Sequence, residues 1–185
     1  MLHLIIIKQP KLGLIEHFKE IAQSVSIPII LYNVPSRTGM NIAPETCFEL
    51  SKIDNIVGIK EASGNISQIV QIASLCGDDF SIYSGNDDQI VPILSLGGKG
   101  VISVLSNVAP KLACSITNSF FQNATSEACY YQLQALPLID ALFAETNPIP
   151  VKEAINLLGY NFGTPRLPLV ECSSSLKEKI SKLLQ

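Results

Sequence analysis

Three side chains in this 185-residue sequence pair a reactive group with a position that makes it useful: Lys60, Tyr32 and Arg37. Lys60 closes the apolar run Ile56-Val57-Gly58-Ile59 and is followed by Glu61. Side chains alternate across a strand, so Gly58 and Lys60 share one face while Val57 and Ile59 share the other. The apolar pair can then pack on helices while Gly58 leaves space beside the lysine. An amine desolvated in this way has its charged form disfavoured, so its pKa falls from ~10.4 toward the range where free amine is available as a nucleophile. Schiff-base chemistry needs that free amine. The same spacing also allows a lysine that emerges at the strand end and meets a surface carboxylate, because most lysines are solvated.

Tyr32 ends a second apolar run, Ile29-Ile30-Leu31, with Ile30 on its own face. A tyrosine near an amine can relay protons. Taken alone, it is more simply read as a half-buried ring whose hydroxyl meets a backbone group, and only the company of Lys60 raises the relay reading. Arg37 lies just beyond, in Pro35-Ser36-Arg37-Thr38-Gly39, a rigid turn at the loop end of a strand, where parallel α/β folds place ligands. Its guanidinium can fork onto a carboxylate, or it can form an ordinary surface ion pair.

The elements that must position these groups follow from periodicity. Short runs rich in Ile and Val recur at residues 4–7, 27–34, 56–61, 80–84 and 101–104 and read as buried parallel strands. Helical spacing separates them: Leu14, Phe18, Ile21, Ala22 and Val25; Cys47 and Leu50; Ile66, Ile69, Val70 and Ala73. Such alternation predicts a parallel sheet with helical crossovers, open or closed as a (β/α)8 barrel. After Val104 the chain turns helical. Pro110 opens one helix, residues 124–145 form another with Pro137 inside it, residues 150–158 a third and residues 173–184 a last. The expected division is a barrel part over residues 1–106 and a helical region over 107–185.

Other motifs carry less. Asp87 and Asp88 with Glu61 suggest a metal site, but helix N-capping explains the aspartates more simply. Gly97-Gly98-Lys99-Gly100 has the composition of a phosphate loop but precedes a strand and lacks the required spacing, so it reads as a turn. His3 and His17 are too few and too far apart to hold a metal. The five cysteines, Cys47, Cys76, Cys114, Cys129 and Cys172, are odd in number and lack metal-ligand spacing. They read as reduced, mostly buried thiols of a cytoplasmic protein. A net charge of −3 with scattered Lys and Arg argues against nucleic acid as a partner. No apolar run reaches the ~20 residues of a membrane helix.

Leu31-Tyr32-Asn33-Val34-Pro35-Ser36-Arg37-Thr38-Gly39 and Val57-Gly58-Ile59-Lys60-Glu61-Ala62-Ser63-Gly64 together resemble the dihydrodipicolinate synthase family in sequence, order and separation. Ser84-Gly85-Asn86-Asp87, residues 96–104 and Asn147-Pro148-Ile149-Pro150-Val151-Lys152 look like further blocks of the same family. The resemblance runs from Gly13 onward. It implies an α/β fold, the C-terminal half of a (β/α)8 TIM barrel followed by a helical region. It also implies a class I lyase of lysine and diaminopimelate biosynthesis that condenses pyruvate with aspartate semialdehyde. Lys60 would form an imine with pyruvate, Tyr32 would shuttle protons, and Arg37 would hold the carboxylate of the aldehyde. The backbone of Gly85 and Ile102 would line the pyruvate pocket. No metal and no cofactor beyond the covalent imine is implied, and a homo-oligomer is expected.

The departure lies upstream. Family members carry three more βα units, with a Gly-Thr-Thr block that holds the pyruvate carboxylate and completes the proton relay. Leu4-Ile5-Ile6-Ile7-Lys8 stands where the family has a tyrosine-rich segment. A half barrel would also leave sheet edges that pair with other chains unless covered. Two other readings follow: a silent remnant with an assembly role, and a related pyruvate-dependent aldolase such as a sialic-acid or sugar-acid lyase. The Ser-Arg-Thr-Gly turn around Arg37 favours the synthase over those relatives.

Overall fold

The computed structural model describes residues 11–185. The expected strand at residues 4–7 and His3 lie outside them. The described residues form two compact units, one ending at Ile102 and one over Ser103–Gln185.

The first unit alternates helix and strand: α1 (Lys11–Ser24), β1 (Ile29–Asn33), α2 (Pro35–Thr38), α3 (Pro44–Ser51), β2 (Ile56–Glu61), α4 (Ile66–Cys76), β3 (Ser81–Ser84), α5 (Ile90–Ser95) and β4 (Gly100–Val101). The strands pair in parallel in the order β1-β2-β3-β4. Each neighbour follows in sequence, as helical crossovers in a parallel sheet require. Leu31, Ile59 and Ile82 point from the three longer strands into one core with Leu14 and Ala22 of α1, Cys47 and Leu50 of α3, and Ile69 and Ile72 of α4. The opposite sheet face carries Ile30 (44% exposed) and Tyr32 (45% exposed). Lys60 belongs to that second face, so helices cover the sheet on the side away from it.

Elements are shorter than their apolar runs, for local reasons. β1 starts at Ile29 because Pro28 has no N–H for the ladder, and Ile27 is exposed. β3 starts at Ser81 because the Phe80 N–H turns back to the Gly77 carbonyl at 3.4 Å, although the Phe80 ring stays in the core. The run at 101–104 keeps strand pairing only at Gly100–Val101. Beyond it, the Ser103 hydroxyl accepts from the Ser106 N–H at 2.8 Å and starts a 3-10 turn over Leu105–Asn107. On α1 the buried positions are Leu14 and Ala22, while Ile21, and Val25 just past the helix end, both expected inside, are exposed. On α4 the core residues are Ile69 and Ile72, and Val70 faces out.

Gly58 has a different role from the one its place beside Lys60 suggests. A Cβ there would run into the carbonyl oxygen of Ser81 on β3 and lie 3.0 Å from the Ser81 Cβ. The glycine opens no cavity; β3 fills the room, and the missing side chain is what lets β2 and β3 approach. Gly58→Ala should therefore destabilise the first unit by about 1–3 kcal/mol through overpacking. A urea midpoint unchanged from wild type would show that β3 yields freely.

Gly97 and Gly98 do form a turn. The Gly97 N–H donates to Leu94 and the Gly98 N–H to the Ile93 carbonyl, both at 3.0 Å, closing α5 with Gly97 at φ +88°.

The second unit is helical: α6 (Pro110–Phe121), α7 (Thr125–Phe143, with Pro137 inside), α8 (Ile149–Leu157) and α9 (Ser174–Leu183). Leu105, Ile116, Leu142 and Ile180 are fully buried at its centre. Lys177 of α9 pairs with Glu153 of α8 at 2.6 Å.

All five cysteines are free, but only Cys47 is buried; Cys76, Cys129 and Cys172 are partly exposed and Cys114 is exposed. The expectation of mostly buried thiols fails because Cys76, Cys114 and Cys129 fall on helix surfaces and Cys172 lies in the segment before α9. Among the described residues no helix is long and apolar enough to cross a membrane.

Candidate active site

The C-terminal ends of β1, β2 and β3 bring the chemistry together. Tyr32, Lys60 and Tyr83 are register partners across the three strands, so their side chains emerge side by side on the face opposite the core. The Lys60 Nζ lies 4.3 Å from the centroid of the Tyr32 ring. An ammonium over an aromatic face gains about 0.5–1 kcal/mol at an exposed site.

One neighbour shapes the Lys60 stem, and a second lies on the same face. Gly85, directly after β3, donates its N–H to the Glu61 carbonyl at 2.7 Å. A Cβ on Gly85 would sit 3.1 Å from Lys60 Cε and 2.7 Å from Ala62 Cβ, so only glycine brings the backbone this close to the lysine. Ile102 donates its N–H to the Ser84 carbonyl at 2.8 Å, prolonging the β3–β4 pairing by one bond. Gly100 is the partner of Tyr83, so Ile102, two residues on, returns to the Lys60 face, where it is 41% exposed. Arg37 sits in α2, a single turn that begins where β1 ends and is closed by the Gly39 N–H donating to Pro35 at 2.9 Å.

Electrostatics displace the Lys60 amine toward its neutral form. Burial lowers the Lys60 pKa from its ordinary value, the positive charge of Arg37 lowers it further, and Asp87 works in the opposite sense. The sign follows directly: with the ammonium disfavoured, deprotonation begins at lower pH. Acylation of Lys60 by an amine reagent should thus follow a pH profile displaced to the acid side of a solvated model lysine. Arg37→Ala removes a repelling cation and should move the profile back toward alkaline pH. Peptide mapping after labelling across a pH series measures both, and a profile untouched by Arg37→Ala would sever the electrostatic link.

The sequence reading missed a buried polar cluster behind the lysine. Glu61 is fully buried, on the core side of β2. Its carboxylate accepts from Asn33 Nδ2 at 3.0 and 3.1 Å, from Gln68 Nε2 at 3.0 Å and from the Ser63 N–H at 2.6 Å. Asn33 also donates to Asn41 Oδ1 at 2.9 Å and accepts from the Ile42 N–H at 2.9 Å. Asn41 Nδ2 donates to Gln68 Oε1 at 2.7 Å. The signal lay in the alternation itself: if Lys60 faces one side of β2, Glu61 must face the core, and Asn33 is its register partner.

Asp87 is also buried, at 1% exposure. It opens a 3-10 turn over Asp87–Gln89, with Asp88 next to it and Asn86 in the cap position. The aspartates therefore occupy the first turn rather than the cap position. Among the described residues no group of three or more His, Cys, Asp or Glu side chains could hold a metal ion.

The dihydrodipicolinate synthetase family profile matches residues 6–185. A 4-hydroxy-tetrahydrodipicolinate synthase of Caldicellulosiruptor saccharolyticus is 59% identical over 177 residues, spanning 96% of this chain and 60% of the relative. The 4-hydroxy-tetrahydrodipicolinate synthase 1 of Clostridium acetobutylicum is 59% identical over 170 residues, covering 92% of this chain and 57% of that protein. The crystal structure of dihydrodipicolinate synthase from Thermotoga maritima superposes with a TM-score of 0.94 at 42% identity, covering 97% of this chain and 62% of that one. The chain thus spans about 60% of the length of the curated relatives it matches.

Proposed function

The chain belongs to the dihydrodipicolinate synthetase family, and on that premise we propose that it is the C-terminal part of a Schiff-base-forming lyase that condenses pyruvate with aspartate semialdehyde in lysine and diaminopimelate biosynthesis. The observation that carries this reading is Lys60: a partly buried amine with a lowered pKa, at the C-terminal end of a parallel sheet and against the Tyr32 ring. Parallel α/β folds place their ligands at that end.

In this reading the Lys60 amine adds to the ketone carbon of pyruvate and water leaves, giving a protonated imine. The imine withdraws electrons, so the pyruvate methyl group loses a proton and the resulting enamine carbon attacks the aldehyde. Tyr32 moves protons at the lysine, Arg37 holds the carboxylate of the aldehyde, and the backbone at Gly85 and Ile102 lines the pyruvate side. No cofactor beyond the imine is needed. The four-stranded sheet supplies the C-terminal half of a (β/α)8 barrel, with residues 1–106 as the barrel part and 107–185 as its last helix and helical extension. The protein works in the cytoplasm as a homo-oligomer, in which sheet edges find partners.

The test is borohydride reduction of the purified chain with pyruvate, followed by mass mapping. A stable adduct on Lys60 supports the lyase reading. An unmodified Lys60 in folded protein overturns it and leaves a silent, assembling remnant.

A further inference from the structure

Two thiols outside the candidate active site meet where α3 packs against α4. Cys47, on α3, is completely buried and belongs to the core of the first unit. Cys76 ends α4, is partly exposed, and packs against the same core. Their side chains are in hydrogen-bond contact, and Ser51, the last residue of α3, reaches the Cys76 sulfur as well. In the reduced protein the Ser51 hydroxyl donates to the Phe48 carbonyl at 2.8 Å.

We propose that Cys47 and Cys76 form an oxidisable dithiol site, in which Cys76 is attacked by a peroxide and Cys47 resolves it to an intramolecular disulfide joining α3 to α4. The assignment of roles follows from access and environment. Only Cys76 has a partly exposed side chain that a small oxidant can reach. The hydrogen bond from the Cys47 thiol stabilises its thiolate and lowers its pKa to about 7, against the opposing effect of burial. Cys47 is pushed the other way by its hydrogen bond to Cys76, by burial and by the negative charges of Cys76 and Glu61. Thiolate, not thiol, is the reacting form.

The chemistry balances in two steps. The Cys76 thiolate attacks one peroxide oxygen; the S–O bond forms, the O–O bond breaks, and the departing hydroxide takes a proton to become water. The Cys47 sulfur then attacks the Cys76 sulfenic sulfur, the S–S bond forms, the S–O bond breaks, and a second water leaves with the Cys47 proton. Two thiols lose two electrons and hydrogen peroxide gains them.

The remaining cysteines offer a built-in comparison. Cys172, in the second unit, has its thiol pushed up to about 11 by burial and by Glu145 and Glu153, so its thiolate is scarce at neutral pH. Cys114 is exposed and reports simple surface oxidation.

The experiment treats the reduced, folded full chain with stoichiometric hydrogen peroxide, blocks remaining thiols by alkylation, and maps peptides without reduction. The expected result is a mass loss of two hydrogens, a cross-linked pair of peptides holding Cys47 and Cys76, and reversal by dithiothreitol. In Cys47→Ser, Cys76 should accumulate as a sulfenic acid captured by dimedone. The map on the unsubstituted chain decides the matter if that variant fails to fold. The proposal is overturned if Cys47 and Cys76 both remain alkylatable while Cys114 oxidises. It is equally overturned if Cys76 proceeds to sulfinic acid with Cys47 still a thiol, or if the pair links only after denaturation. None of these outcomes depends on the lyase reading.

Discussion

Lys60→Ala abolishes the borohydride-stabilised pyruvate adduct, lowering the trapped fraction by on the order of 10³-fold or more, because a covalent route disappears with its nucleophile. The fold should survive the change. Lys60 sits on the sheet face away from the core, and alanine there gives up the packing of the amine on the Tyr32 ring at 4.3 Å, worth about 0.5–1 kcal/mol at most. The thermal midpoint should accordingly stay within a few degrees of wild type. Lys60→Arg sharpens the result: it keeps a long cationic side chain over the tyrosine, but a guanidinium that stays protonated cannot form the imine. A persistent adduct in either variant would place the chemistry on another lysine.

Glu61→Leu should be the most damaging single change for stability in the first unit, although it lies next to Lys60 and touches no substrate in the proposed reaction. The carboxylate gathers N–H donors from Asn33, Gln68 and Ser63 in a buried setting. Leucine keeps the volume and removes every acceptor. Asn33 and Gln68 can still donate to Asn41 Oδ1, so one hydrogen of each amide and the Ser63 N–H are orphaned. Each orphan in a buried site costs about 1–3 kcal/mol, and partial relief by water brings the sum to about 2–5 kcal/mol. Glu61→Gln should cost less, because its carbonyl still accepts while its amide faces other donors. Urea denaturation with a common m-value measures both. Equal stability of Glu61→Leu and wild type would mean that the cluster is dispensable. Lys60→Ala and Glu61→Leu therefore separate cleanly: the first removes adduct and spares stability, the second attacks stability first.

Much of the first unit was legible in sequence because its signals are local. A strand buried on one face by crossover helices needs apolar residues such as Leu31, Ile59 and Ile82, and these stand out as short Ile-rich and Val-rich runs. The errors fell where one local group overrides a run. Pro28 trims β1, and Ser103 diverts the chain after β4. Val70 and Ile21 are apolar yet exposed, since helical spacing indicates a stripe but not how wide the neighbouring surface is.

The candidate site divides along the same line. Alternation along β2 determined that Lys60 and Glu61 face opposite ways, and the apolar lead-in determined that the lysine starts from a partly desolvated strand. Register, which no single strand encodes, decided that Tyr32 and Tyr83 flank Lys60, that Gly58 serves the approach of β3, and that Gly85 abuts the lysine stem. Tertiary packing alone decided that Asn33, Asn41 and Gln68 converge on Glu61, and that Cys47 and Cys76, far apart in the chain, share a hydrogen bond. The physical reason is range. Periodicity and steric preference act between residues a few positions apart, whereas a buried carboxylate or a thiol pair acquires its partners only when separate helices and strands are brought into contact.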